Sequence, residues 1–182
     1  MQVERFEIEG PRLLTPAYLG DARGWFAETY NEKKWRDAGV FDNFVQDNQS
    51  LSTQIGTLRG LHFQIEPHAQ AKLLHVVAGE IMDVIVDIRP SSTTFGQHLS
   101  VVLNSVNHAQ LYVPKGFAHG FITRTKNTEV CYKVSDFYAP DQDRGLIWND
   151  IDLNINWGHS NPELSEKDRN LPTLAQYLKD IS

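Results

Sequence analysis

Along the middle of the chain, apolar and polar residues alternate with the period of two that marks half-buried β-strands. In residues 80–88 (EIMDVIVDI), Met82, Val84, Val86 and Ile88 fall on one face. Ile81, Asp83, Ile85 and Asp87 fall on the other. Two carboxylates on one face predict a strand that is half wet or that lines a cavity. Residues 72–77 (KLLHVV) form a preceding strand, split from this one by Ala78-Gly79, which reads as a hairpin-type break. Short strands follow over 97–103, 110–114, 119–125 and 128–135, with turn signals between them. This spacing predicts a mainly β, mostly antiparallel sandwich or barrel. Helices are few and short. Asn31 caps residues 32–38 with Gly39 as the stop, and residues 173–180 form a terminal helix after Pro172. No repeat or linker interrupts the chain, so residues 1–182 read as one domain.

Composition narrows the function. Hydrophobic residues make up 41% and charged residues 22%, which indicates a globular chain rather than a disordered one. Lys and Arg number 17 against 23 Asp and Glu, a net charge of −6. Binding to nucleic acid or to an anionic membrane is therefore not expected, because both need basic surface. A local basic pocket for a small anion remains open. The single Cys131 excludes an internal disulfide and a multi-cysteine zinc site. Glu4, Glu7 and Glu9 stand where a signal peptide needs an apolar core, and no apolar run reaches the roughly 18 residues of a membrane span. The expectation is a cytoplasmic protein.

Five segments concentrate unusual side chains. Residues 21–28 (DARGWFAE) read alone as an exposed Arg-Gly turn entering a strand. In 58–64 (LRGLHFQ), His62 shares a face with Leu58, Gly60 and Gln64, while Arg59 points the other way. Both serve one site only where Gly60 marks a bulge or twist. Otherwise His62 is a core histidine and Arg59 a surface arginine. Lys72 opens an apolar strand on the face of Leu74 and Val76. Such a lysine either snorkels to water or needs a paired anion. In 130–140 (VCYKVSDFYAP), Tyr132 lies inward with Val130 and Val134, a phenol set for a structural hydrogen bond or for proton donation.

The fifth segment, VPKGFAHGF over 113–121, delivers His119 into a strand through a Pro-x-Gly turn. Its spacing resembles the second motif of the cupin barrels. The first cupin motif carries His-x-His with a later Glu for metal, and here the stretch is His62-Phe63-Gln64, followed by Lys72. Two histidines fall short of the three protein ligands usual for a catalytic metal, so the segment reads as a metal-free pocket.

Taken together, DARGWFAETYN, QDNQS, TLRGLHFQ, QAKLLHVVAGEIMDVIVDIRPSSTTFGQ, LYVPKGFAHGF, YKVSDFYAP, IWND and LSEKD stand in this order between Asp21 and Asp168. This series resembles the dTDP-4-dehydrorhamnose 3,5-epimerase family. The resemblance implies a cupin-type jelly-roll barrel, a homodimer, no cofactor and no metal. It also implies inversion of C3 and C5 of dTDP-4-dehydro-6-deoxy-D-glucose. Under it, His62 matches the base, Asp168 the carboxylate paired with it, Tyr132 the opposite-face acid and Lys72 the cation near the C4 oxygen. Arg23 and Arg59 match diphosphate ligands. Glu28, Gln46, Asp47, Asn48 and His119 complete the pocket, Tyr138 lies near the thymine, and Asp143 and Lys167 are further contacts. The family's N-terminal strands cross between protomers, so some of these come from a partner. Asp83 is read as a neighbour of Lys72. Three positions depart from the family pattern: His75, Gln49 and Leu19, which bear on substrate grip or on which carbons are inverted. A C3-only or C5-only epimerase is the alternative within the family. A metal cupin and a non-catalytic sugar-binding barrel are the alternatives outside it.

Overall fold

The alternation over residues 80–88 is built as expected, but both faces of that strand are covered. The computed structural model describes residues 1–180, so the last two residues of the expected 1–182 domain lie outside the described residues. The elements run β1 (Gln2–Arg5), β2 (Arg12–Thr15), β3 (Tyr18–Asp21), β4 (Gly24–Ala27), α1 (Glu32–Asp37), β5 (Gln46–Ser52), β6 (Leu58–Gln64) and β7 (Lys72–Ala78). Then come β8 (Glu80–Asp87), β9 (His98–Asn104), β10 (Gln110–Val113), β11 (Phe117–Thr123), β12 (Thr128–Val134), a 3-10 turn (Pro140–Gln142), β13 (Asp143–Gly145), α2 (Glu166–Arg169) and α3 (Leu174–Asp180). Two antiparallel sheets face each other, one ordered β1-β2-β10-β7-β12-β5 and the other β13-β6-β11-β8-β9. β3 and β4 form a separate hairpin. This is the jelly-roll arrangement, two sheets around one interior.

Three apolar layers follow from strand alternation. Ile81 and Ile85 pack between the sheets with Leu74, Val76, Leu111 and Val130. Val84 and Val86 face the other way, onto Leu146, Trp157 and Leu174 of the C-terminal segment. Leu73 and Tyr112 lie outside the six-stranded sheet, under Trp35 of α1. The α1 cap is as predicted: Asn31 Oδ1 accepts from the Lys34 amide at 3.1 Å.

Two expectations are corrected. The Ala78-Gly79 break is not a hairpin turn, because β7 and β8 belong to different sheets. Gly79, at φ +83°, carries the chain across the corner between them. A Cβ there would lie 2.4 Å from Thr125 Oγ1 and 2.6 Å from Thr128 Oγ1, so only glycine fits. The second correction concerns only the half-wet alternative, since neither Asp83 nor Asp87 reaches solvent, while Asp83 shares the face of Ile81 and Ile85 that turns between the sheets. Asp87 accepts from Arg89 Nε at 2.8 Å and from Ser92 and Thr94 hydroxyls at 2.6 Å each. These bonds compensate its burial at the strand end.

Candidate active site

Site assembly begins with an irregularity in β6. On β11, His119 and Phe121 are two residues apart, but their partners on β6, His62 and Arg59, are three apart. The extra residue falls at Gly60-Leu61 and reverses the facing of Arg59. A Cβ on Gly60, at φ +126°, would meet the Gly120 Cα at 2.6 Å. The bulge therefore depends on two glycines passing backbone to backbone. As a result Arg59 and His62 line the same cavity, about 540 Å³, between the two sheets.

The five-stranded sheet contributes His62 and His119 as cross-strand partners. His62 Nε2 lies 2.6 Å from Asp168 Oδ1. Asp168 is buried at the start of α2, where its own amide is capped by Ser165 Oγ at 3.0 Å. Burial opposes its charge, yet hydrogen bonds from His62, Ser165 and the Gly60 backbone hold its carboxyl below the ordinary value. Asp168 therefore accepts the His62 Nε2 proton and leaves Nδ1 as the basic nitrogen.

The six-stranded sheet contributes Lys72 and Tyr132 from the opposite wall. Lys72 Nζ reaches across and donates to the His62 carbonyl at 3.2 Å. Its side chain keeps partial access through the cavity, but loss of solvent pulls the ammonium down to about 8, against the opposing pull of Asp83 and Asp143. Lys167 adds to the lowering. Burial raises the Tyr132 phenol, partly offset by Arg59. Its hydroxyl makes no hydrogen bond to the described residues, so it is free to act on what occupies the cavity.

A second cavity of about 460 Å³ shares His62, Lys72, Tyr132 and Lys167 with the first. Gln46 and Asn48 enter it, bonded to each other at 2.9 Å. At its rim Asp143 Oδ2 accepts from Tyr138 at 3.0 Å and from Lys167 at 2.5 Å. Arg59 is braced by Ser52 Oγ at 3.2 Å and the Leu51 carbonyl at 3.3 Å. Arg59, Lys72 and Lys167 bring three cations into a cavity whose lining also holds Glu163 and Asp168, in a chain of net −6. Arg59, held by Ser52 and Leu51 rather than by a carboxylate, is placed to meet a small polyanion.

Not every candidate converges here. Asp47 lies on the outer face of its sheet, paired with Lys133 at 2.8 Å. Arg23 sits in the exposed β3–β4 hairpin, bonded to Asp21, and Glu28 bonds Lys34 and Asn31. Neither lines the cavities that hold His62. His75 and Gln49 line an outer groove with Cys131, and Leu19 is exposed on the hairpin. Sequence reasoning missed Ser165, although Ser165-Glu166-Lys167-Asp168 carries the spacing of an N-terminal capping box. It also missed that Asp83 bonds His119, at 2.8 Å. Among the described residues, no group of three or more His, Cys, Asp or Glu is placed to hold a metal ion.

The family model for dTDP-4-dehydrorhamnose 3,5-epimerase matches residues 5–176. The chain belongs to this family. A curated relative, the dTDP-4-dehydrorhamnose 3,5-epimerase of Shigella flexneri, is 48% identical over 93% of this chain and 94% of its own. The solved structure of the Bacillus anthracis enzyme with TDP and PPi bound is 50% identical, with a TM-score of 0.93 over 95% of this chain and 99% of that one. A Legionella pneumophila epimerase in complex with dTDP-4-keto-L-rhamnose is 40% identical, with a TM-score of 0.91 over 96% of this chain and 93% of that one. The jelly-roll barrel described above is thus the family's cupin-type fold.

Proposed function

We propose that this chain inverts C3 and C5 of dTDP-4-dehydro-6-deoxy-D-glucose, giving dTDP-4-dehydro-L-rhamnose. The observation that carries the reading is the placement of a base and an acid on opposite walls of one cavity. His62, oriented by Asp168 at 2.6 Å, stands on one sheet, and Tyr132 stands on the other with its hydroxyl unengaged.

The ketone at C4 acidifies the hydrogens on C3 and C5. His62 Nδ1 removes one of them, and Asp168 stabilises the imidazolium that results. Charge then collects on the C4 oxygen, where the Lys72 ammonium lowers its energy. Tyr132 returns a proton from the other face, which inverts the carbon. Repetition at the second carbon completes the double epimerisation. No carbon changes its net oxidation state between substrate and product, so the chemistry itself calls for no redox cofactor.

Arg59, His119, Gln46, Asn48, Tyr138, Asp143 and Lys167 are assigned to substrate binding, with Arg59 on the diphosphate and Tyr138 near the base. Arg23, Glu28 and Asp47 lie outside the cavities of their own chain that hold His62. Their assignment therefore rests on a homodimer in which the β3–β4 hairpin, with Trp25 and Phe26 exposed, reaches a partner's site. Among the described residues no helix is long and apolar enough to cross a membrane. A cytoplasmic single-domain enzyme is the reading that fits this and the sugar-nucleotide substrate.

The test is incubation with dTDP-4-dehydro-6-deoxy-D-glucose in D2O, followed by NMR, with the downstream reductase and NADPH trapping the product. Deuterium at both carbons and an L-rhamno product are expected. Exchange and inversion at one carbon alone would make this a mono-epimerase. No exchange in folded, nucleotide-binding protein would overturn the catalytic reading.

A further inference from the structure

Asp83 stands apart from the residues used so far. It lies on β8, fully buried, on the cavity-side face of the five-stranded sheet. One carboxylate oxygen, Oδ2, is 2.8 Å from His119 Nε2. The other, Oδ1, is buried with no hydrogen-bond partner. Leaving a carboxylate oxygen bare in the interior costs stability, and a hydrophobic residue would fill the position more favourably. A mere packing role does not explain it.

The charges around it suggest what it does. Lys72 comes from the opposite sheet and reaches this one, where its Nζ donates to the His62 carbonyl at 3.2 Å; there burial disfavours its charge, Asp83 and Asp143 favour it, and Lys167 opposes it. Asp143 is already bonded to Lys167 at 2.5 Å and to Tyr138, so its charge is largely engaged. Asp83 has no cation of its own, since its bonded neighbour is the imidazole of His119, whose charged form burial disfavours. His62 adds a further titratable ring on the same face. Burial also pushes the Asp83 carboxyl up, and His119 and Lys72 pull it back.

We propose that Asp83 is a positioning residue of this site: its buried carboxylate is the counter-charge that keeps Lys72 an ammonium facing the cavity. The proposal rests on the epimerase reading above for its catalytic consequence. It does not rest on that reading for the Asp83–Lys72 link itself.

Asp83→Asn is the variant of choice, because it keeps shape and the bond to His119 and removes only the charge. Two measurements are made on wild type and variant. NMR of 13C-labelled lysine follows the Lys72 titration, assigned with Lys72→Met. The pH profile of kcat/KM for the D2O-exchange reaction gives the alkaline limb. In the variant the Lys72 titration should move to lower pH by about one unit or more. The alkaline limb should move with it, so that activity near pH 8 falls about fivefold or more while activity at pH 6 falls little. A Lys72 titration that does not move overturns the proposal. A titration that moves while the rate profile stays fixed overturns its catalytic half. Wild type that exchanges neither hydrogen sinks the epimerase reading, and the titration still decides the link. Asp83→Glu, which restores the charge, should recover part of the alkaline limb. A purely structural lesion would leave this limb unmoved.

Discussion

His62 and His119 are register partners on adjacent strands, yet their Nε2 atoms are tied to different carboxylates. His62 takes Asp168 at 2.6 Å from a helix outside the sheet, and His119 takes Asp83 at 2.8 Å from the next strand within it. The first pair is partly open to the cavity and the second is enclosed. The two dyads thus differ in access: the His62 side chain is 31% exposed, toward the cavity, whereas His119 and its carboxylate are nearly closed off.

The accessible dyad should carry proton removal. His62→Ala should abolish hydrogen–deuterium exchange at both carbons. Asp168→Asn should slow it about a hundredfold or more, because the imidazolium loses its stabilising charge. Exchange rates read by NMR check both, and near-normal exchange in either variant would remove that residue from the mechanism.

Tyr132 should separate exchange from inversion. With the phenol gone, Tyr132→Phe should still exchange substrate hydrogens through His62 but form inverted product at least about tenfold more slowly. The ratio of deuterium incorporated to L-rhamno product trapped is the readout. Unchanged product formation would exclude Tyr132 as the acid.

Lys72 should trade stability for function. Its ammonium is lowered from 10.5 to about 8 by burial, so at neutral pH its charge disfavours the folded state. Between these two values the unfolded chain holds more protons than the folded one, and this group's contribution to stability rises with pH. Lys72→Met should lose activity about a hundredfold or more, and by itself it leaves the buried Asp83 carboxylate without a counter-charge; with Asp83→Asn beside it, stability at pH 7 should equal or exceed that of wild type. A fall in Tm of more than about 4 °C in that double variant would contradict the burial reading.

Acid should act through Asp87 and Asp168. Burial raises the Asp87 carboxyl, but bonds from Arg89, Ser92 and Thr94 outweigh it and hold the group well below the carboxylate range. Asp168 is lowered in the same sense. A depressed folded value means stability that is complete above about pH 4 and is lost as pH falls below it. Urea unfolding from pH 6 to pH 2 should show that decline. Asp87→Asn should flatten it and cost about 3 kcal/mol at pH 7, because Arg89 loses its partner.

The bulge should prove sensitive to one methyl group. Gly60→Ala places a Cβ 2.6 Å from the Gly120 Cα and 2.8 Å from the His119 carbonyl, at φ +126°. A loss of about 3 kcal/mol is expected, together with weaker nucleotide binding as Arg59 shifts relative to His62. Thermal unfolding and dTDP binding measured on the same variant check the two effects separately.

Much of this molecule is legible without coordinates. The alternation in β8, the short strands from 98 to 134, the Asn31 cap and the last helix follow from periodicity and local hydrogen bonding, which act over a few residues. The same holds for the inward facing of Lys72 and Tyr132, which is simple strand parity. The corner at Gly79 and the bulge at Gly60 are another matter, because each depends on atoms brought close from distant segments, Thr125 and Thr128 in one case and Gly120 in the other. Strand parity alone sends Arg59 away from His62, and only the backbone contact between β6 and β11 brings it back. The bonds of His62 to Asp168, 106 residues away, and of His119 to Asp83, 36 residues away, are likewise products of sheet order. Residue type decides which side chains are able to hold a proton or a charge. Which of them meet, and how much water they keep, is decided by long-range packing.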